Sequence, residues 1–393
     1  MSKELRRTWA EIDLDALEHN YHTLRRCCGA GVKFLGVVKA DAYGHGAVQV
    51  SHTLQQLGAD YLAVSNLDEA RELRQNGVDM PILILGHTPA DQVETLLRYH
   101  ITQTVSCEAK ALEYSQQAQR CGGLLKIHIK VDTGMSRLGF LCEGEHLEGG
   151  VRGIARACAL PGLEAEGIFT HFAVSDEKDE ESKKYTLAQF SLFETVIARL
   201  EQKGIHFAIR HCANSGAVVN YPQMMLDMAR PGILLYGCGA AAQQLELRPV
   251  MRLKSCVSTV KVYDPGTTIS YGRLYRTEKK TRIGVLPVGY ADGLMRCLSN
   301  RFSVVTEQGM APQRGRICMD MCMVDLTACP AVDVGSEVEI FGEHQLVHSL
   351  AELAGTIPYE LTCAVSKRVP RLYFRYGRQV DRELRLLVTQ EEG

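Results

Sequence analysis

Residues Lys33 to Ala47 read KFLGVVKADAYGHGA, a short apolar run that delivers one lysine into a glycine-containing turn. Phe34, Leu35, Val37 and Val38 are too few for a helix, and their β-branched content predicts a fully buried strand. Lys39 then stands at the strand's carboxyl end, where parallel α/β folds collect their chemistry. A lone lysine there fits a solvated side chain, since lysine is seldom buried, as well as an amine nucleophile. Tyr43, Gly44, His45 and Gly46 favour the second reading. They add a hydroxyl, an imidazole and backbone that a phosphate can approach closely.

Outward from this stretch, strands and helices alternate. An opening helix carries Leu17, Tyr21 and Leu24 at helical spacing, with Asp15 and Glu18 as its capping box. After the Lys39 strand come YLAVS (61–65), ILIL (82–85), ITQTVS (101–106), LKIHIKVDT (125–133), AEGIFTHFA (165–173), IRHCANSGA (209–217) and MARPGILLYG (228–237). Helical patterns lie between most of them, so the sheet is expected to be parallel. Eight strand candidates suggest a closed (β/α)8 barrel. The rival is an open doubly wound sheet, but no GxGxxG turn follows the first strand. From Cys238 to Leu247 the chain turns small and polar, as a linker does. Beyond it, strand-like segments punctuated by turns predominate, with one helical stretch at SLAELAG. The expected organisation is a barrel domain over 1–240 and a mainly β domain over 248–393.

The 393 residues are 46% hydrophobic with a formal net charge of −2. That balance gives no electrostatic case for nucleic acid or an anionic membrane and favours a small-molecule ligand. No apolar run has signal-peptide or membrane-spanning length, which predicts a cytoplasmic protein. Fourteen scattered cysteines are read as reduced thiols, and no ligand spacing suggests a metal.

Two loops suit a phosphate. Asn214 to Ala217 follow the seventh strand candidate and Arg230 to Ile233 lie at the eighth, with Ser215 offering a hydroxyl and Gly232 a close backbone N–H. Each alone reads as an ordinary turn or cap; at consecutive loops they read as one site. Arg230 is also compatible with a pair to Asp227, His171 with a satisfied core histidine, Arg137 with a surface side chain, and Tyr271 with a sheet edge.

The strings VVKADAYGHG, VDTGMSRLGF, FTHFA, SYGRLY, GVLPVGYADG, ICMDMC and TIPYE together resemble the alanine racemase family, in order and from Trp9 to Arg371. The resemblance implies pyridoxal 5′-phosphate held covalently by Lys39. It implies a phosphate site of Tyr43, Ser215, Gly232, Ile233 and Tyr359, beside Asn214. Arg137 would contact the ring oxygen or the substrate carboxylate, and Lys130 matches a lysine that some members carbamylate. Arg230 would face the pyridine nitrogen as a cation unable to accept its proton, which keeps the ring a weak electron sink. Racemisation needs an acid/base group on each face. Lys39 serves one, and Tyr271, which the family supplies from the partner subunit, serves the other with His171 orienting its hydroxyl. Met319 would offer a backbone N–H to the substrate carboxylate, while Tyr290 and Tyr359 narrow the entrance to fit alanine. A homodimer with shared sites follows, and in a bacterium a supply of D-alanine for peptidoglycan. A serine or broad-specificity racemase would keep the same residues. Ser136 stands where the family often has glycine.

Overall fold

The computed structural model describes residues 7–239 and 241–386. Eight parallel strands follow one another in the order Met228–Ala229, Lys33–Val37, Tyr61–Val64, Ile82–Ile84, Ile101–Val105, Leu125–Asp132, Leu163–Phe169 and Ile209–His211. The Asp227 amide donates to the Arg210 carbonyl at 3.0 Å and the Arg230 amide to that of Ala213 at 2.9 Å, joining last strand to first. The fold is therefore the (β/α)8 barrel, and each of its strands overlaps one of the eight expected segments, Leu163–Phe169 starting two residues before its own. The reason is burial: Tyr61–Val64 and Ile101–Val105 are inaccessible along their whole length, so both faces must be apolar or internally satisfied.

Two local expectations differ. The first helix, Leu14–Cys28, is capped by Asp13, whose side chain accepts from the Asp15 and Ala16 amides, and Asp15 instead accepts from the Tyr376 amide. The longest helix, Glu180–Glu201, was not legible. Its buried face mixes Thr186 and Gln189 with Phe193, Val196 and Leu200, which blurs the apolar stripe.

The chain's later part is mainly β. One sheet runs Gly309–Pro312, Ser303–Thr306, Glu337–Phe341, Met251–Cys256, Thr8–Asp13, Arg371–Arg375, Arg378–Glu383, and a smaller one joins Thr259–Tyr263, Thr281–Leu286 and Cys322–Asp325. Thr8–Asp13 pairs antiparallel with Met251–Cys256 and parallel with Arg371–Arg375. The first strand thus sits in a sheet built otherwise from residues 251–383. The expected linker is a series of turns pinned by buried Ala242 and Leu247, with Ala240 outside the described residues. Helix Val347–Ala354 matches SLAELAG, and a second helix, Pro358–Ala364, lies against the Lys39 turn: a Cβ on Gly44 would collide with the Thr362 carbonyl. That contact brings Tyr359 to the barrel mouth.

Candidate active site

Immediately after Lys39 the backbone does something rare for L-residues. Ala40, Asp41, Ala42 and Tyr43 all have φ between 51° and 57° with ψ between 38° and 51°, one turn of left-handed helix without a glycine. At about 1–2 kcal/mol per residue, such a turn stores roughly 4–8 kcal/mol that the surroundings must offset. His45 does part of this. Burial depresses its pKa to about 4, so the ring is neutral, and Nδ1 lies 2.9 and 3.0 Å from the Ala42 and Tyr43 carbonyls, which makes Nδ1–H the donor to both. Glu69 accepts from the Ala40 amide at 2.7 Å. The turn aims Lys39 into a cavity of about 370 Å³ at the barrel mouth. Burial, and then the charge of Arg137, lower the Lys39 pKa and favour the free amine.

The same cavity is lined by Tyr43, Arg137, His171, Asn214, Ser215, Arg230, Gly232, Ile233 and Tyr359. At one end Asn214 caps the short helix Ser215–Asn220 through the Ala217 amide, and Ser215 Oγ accepts from the Gly232 amide at 2.8 Å. A Cβ on Gly232 would lie 2.7 Å from the Tyr43 hydroxyl, so only glycine leaves this corner open. Tyr43 in turn rests against Tyr359, with ring centroids 5.7 Å apart.

Arg230 is buried, and Asp227 is not its partner: that carboxylate pairs with Arg210 at 2.7 Å. Arg230 donates to the Thr170 and Cys212 carbonyls at 2.8 and 3.0 Å, to His211 Nδ1 at 2.9 Å and to His171 Nδ1 at 3.3 Å. Burial pushes its pKa down to about 10, which leaves it a cation at neutral pH. Behind it runs a chain through the barrel interior. His211 Nε2 lies 2.9 Å from His128 Nδ1, and His128 Nε2 lies 3.3 Å from Glu166. Because Arg230 has only protons to give, each histidine must accept on Nδ1 and donate from Nε2, which assigns both as neutral Nε2–H tautomers. Burial lowers both imidazole pKa values, in agreement. The chain ends on Glu166, which also accepts from Tyr61 and Lys126. The histidine of KIHIK and that of IRHC stand in strand segments that the sequence marks, but pairing two strands' histidines needs the barrel.

By the same logic His171, accepting on Nδ1, presents Nε2–H to the cavity, and burial followed by the Arg230 charge keeps it neutral. In the VDTGMS turn Asp132 accepts from the Gly134 and Ser136 amides, both at 3.0 Å. Ser136 has φ 55°, so the serine keeps the left-handed geometry that glycine favours. Arg137 is exposed beside the cavity, while Lys130 is buried in its wall with Nζ 4.6 Å above the Phe169 ring. Burial and the charges of Arg230 and Arg137 hold its pKa well below the usual range.

Three expected residues do not join this cavity within one chain. Tyr271 and Met319 line a second cavity of about 620 Å³ on the β part, where they are 71% and 53% exposed. Tyr290 lines neither; its amide donates to the Cys318 carbonyl, which ties it to the Met319 loop. Among the described residues no cluster of histidine, cysteine or carboxylate side chains is arranged for a metal, and no helix is long and apolar enough to cross a membrane.

Comparison with known proteins matches residues 12–240 to the alanine racemase N-terminal domain and residues 250–373 to the alanine racemase C-terminal domain. The chain is 45% identical over 386 residues to an alanine racemase of Clostridium tetani, covering 96% of this chain and 98% of that one. Among solved structures, an alanine racemase of Clostridium difficile superposes with a TM-score of 0.93 at 39% identity, covering 98% of this chain and all of that one. One from Bacillus anthracis with bound L-Ala-P gives 0.88 at 33%, covering 98% and 99%. The chain belongs to the alanine racemase family and is an amino-acid racemase.

Proposed function

We propose that this chain interconverts L- and D-alanine with pyridoxal 5′-phosphate held in the barrel mouth, using Lys39 of one chain and Tyr271 of a second copy as opposed acid/base groups. The observation that carries the reading is the division of the expected residues between two cavities of one chain. Lys39 lies in the first, and Tyr271 stands exposed in the second with Met319. Racemisation requires a proton to leave one face of Cα and arrive on the other. A two-fold dimer that turns each β part toward its partner's barrel gives two equivalent sites with both groups.

The first cavity suits the cofactor. Gly232, Ser215 and Tyr43 leave an anion-sized corner, Lys39 offers an amine that burial favours as the free base, and Arg230 presents N–H groups on a further side. Once bound, pyridoxal phosphate supplies the electron sink that acidifies the substrate's α C–H. Arg230, already protonated and hydrogen-bonded, could not accept a proton from the bound group, which would favour return of the proton to the substrate's Cα. Lys39 Nζ handles the proton on one face and Tyr271 Oη on the other, with His171 Nε2–H steadying that oxygen. Arg137 and the Met319 amide orient the carboxylate, and Tyr290 and Tyr359 leave room for a methyl group. The assembly is cytoplasmic, and its D-alanine feeds peptidoglycan precursors.

The test mixes Lys39→Ala chains with Tyr271→Phe chains. In a hybrid dimer one site collects both defects and the other has neither, so equal mixing should restore roughly a quarter of the wild-type rate of L-to-D conversion. A mixture no more active than its parents, with hybrids verified by native mass spectrometry, would overturn the shared site.

A further inference from the structure

The left-handed turn after Lys39 is held from outside the barrel as well as from within. Asp41 Oδ1 accepts from the Ala47 amide at 2.8 Å and from Arg385, beyond the last strand, at 2.5 Å. Arg385 Nε also donates to Glu383 at 2.5 Å, and Glu383 accepts from the Tyr373 hydroxyl at 2.6 Å. Arg371 is 3% exposed and donates to the Gly44 carbonyl at 3.1 Å, with its other N–H groups on the carbonyls of Val365, Ser366 and Val369. A Cβ on Gly46 would collide with Tyr373, so the turn is pressed directly onto this sheet. Asp41 is the side chain of the turn that makes an ion pair across the boundary, and that pair is 29% and 19% exposed at its two ends.

We infer that Asp41 and Arg385 are positioning residues for Lys39: the ion pair between the barrel's lysine turn and the segment just past the chain's last strand holds the turn left-handed and so fixes where the amine points. The inference rests on Lys39 being the cofactor lysine. Neither residue touches the cavity, so both act through the backbone. A left-handed run of L-residues relaxes toward right-handed or extended backbone when its clamp is removed, and the residue that swings first is the one joined to its start. The supports within the barrel, His45 and Glu69, hold the turn's carbonyls and its first amide, and Arg371 holds the Gly44 carbonyl after it, but none of the three hydrogen-bonds the Asp41 carboxylate.

The test uses the full-length holoenzyme with Arg385→Ala, Arg385→Lys and Asp41→Asn. Arg385→Ala should lower kcat between about tenfold and a hundredfold, the scale expected for an ångström-sized misplacement of a reacting group, with KM changed less than twofold. Borohydride reduction and peptide mapping should show a smaller fraction of chains labelled at Lys39. Arg385→Lys should recover most of the rate, and guanidinium chloride at millimolar concentration should partly rescue Arg385→Ala; a change in packing alone gives neither. Should Arg385→Ala not fold, Asp41→Asn decides by the same readouts, since it keeps an acceptor for the Ala47 amide and removes only the charge. Unchanged kcat and labelling in the folded variants would overturn the inference while leaving the Lys39 assignment intact. Label on a lysine other than Lys39 in the unsubstituted protein would overturn the reading beneath it.

Discussion

Replacing Glu166 with Gln removes the anion on which the Arg230–His211–His128 chain ends. The hydrogen bond from His128, opposed by partial burial and aided by Lys126 and Tyr61, depresses the Glu166 carboxyl to about 2 from its ordinary 4.5. Each unit is worth about 1.4 kcal/mol, so the raw contribution is roughly 3 kcal/mol. Lys126 is half exposed and the carboxylate edge reaches solvent, which screening reduces to about 2 kcal/mol. The sign follows from the depressed value. The stabilisation is fully present above the unfolded carboxyl's pKa, falls to roughly half near pH 3, and is lost as pH drops through the folded value. Glu166→Gln should therefore unfold at lower urea than the parent at pH 7, by an amount worth about 2 kcal/mol, and the gap should narrow toward pH 3. Chain concentration must be fixed, because the midpoint of a chain that pairs as proposed depends on it. Equal gaps at both pH values, or none at pH 7, would refute the assignment of Glu166 as the charged terminus.

Arg230→Glu should slow racemisation and divert turnover toward transamination, seen as pyruvate formed from alanine; slow racemisation without pyruvate would leave Arg230 a structural residue only. Lys130, a buried amine whose pKa burial and the charges of Arg230 and Arg137 hold well below the usual range, should take up carbon dioxide as a carbamate and place an anion against the Arg137 guanidinium. Carbon-13 NMR of protein equilibrated with labelled bicarbonate should give a carbamate resonance that Lys130→Ala abolishes. Gly232→Ala puts a methyl group 2.7 Å from the Tyr43 hydroxyl, so cofactor affinity should fall about tenfold or more by equilibrium dialysis while the apoprotein melts within a few degrees of the parent.

What the sequence made legible was whatever repeats or is local. All eight barrel strands could be placed because short, apolar-rich, β-branched runs bounded by turn signals recur along the chain, and nine of the ten expected site residues that line one cavity sit at a strand end or in the segment after it, Tyr359 alone arriving on the helix Pro358–Ala364. What escaped depends on distance along the chain. Thr8–Asp13 is too short to reveal that its partners lie more than two hundred residues away, at Met251–Cys256 and Arg371–Arg375. His128, His211 and Glu166 come from three strands, and only the closed ring aligns their ring nitrogens with Arg230. The left-handed turn escaped because a run of four non-glycine residues, of which only Asp41 is of a type enriched at positive φ, gives no local signal for it, and Arg385, which pairs with Asp41, arrives from the far end of the chain.

The same reasoning applies to the residue that the single chain leaves unfinished. Tyr271 is carried on a turn whose flanking residues Ser270 and Arg273 have φ 67° and 54°, and Ser270 is pinned there by donating to the Arg316 carbonyl at 2.7 Å. Strain of this kind persists only where the surroundings over-determine it, and here it presents an aromatic side chain almost fully to solvent, beside exposed Leu274, Met319 and Met321. On the proposed dimer the same turn carries Tyr271 out of water and against the His171 Nε2–H of the other barrel, whose tautomer is fixed by Arg230 and, behind it, by a donor chain that ends on Glu166. On that proposal each acid/base group is held by residues remote from it, Lys39 by Arg385 just past the last strand of its own chain and Tyr271 by the barrel interior of its partner. Loss of the dimer should accordingly remove proton exchange on the tyrosine face before it disturbs retention of the cofactor on Lys39.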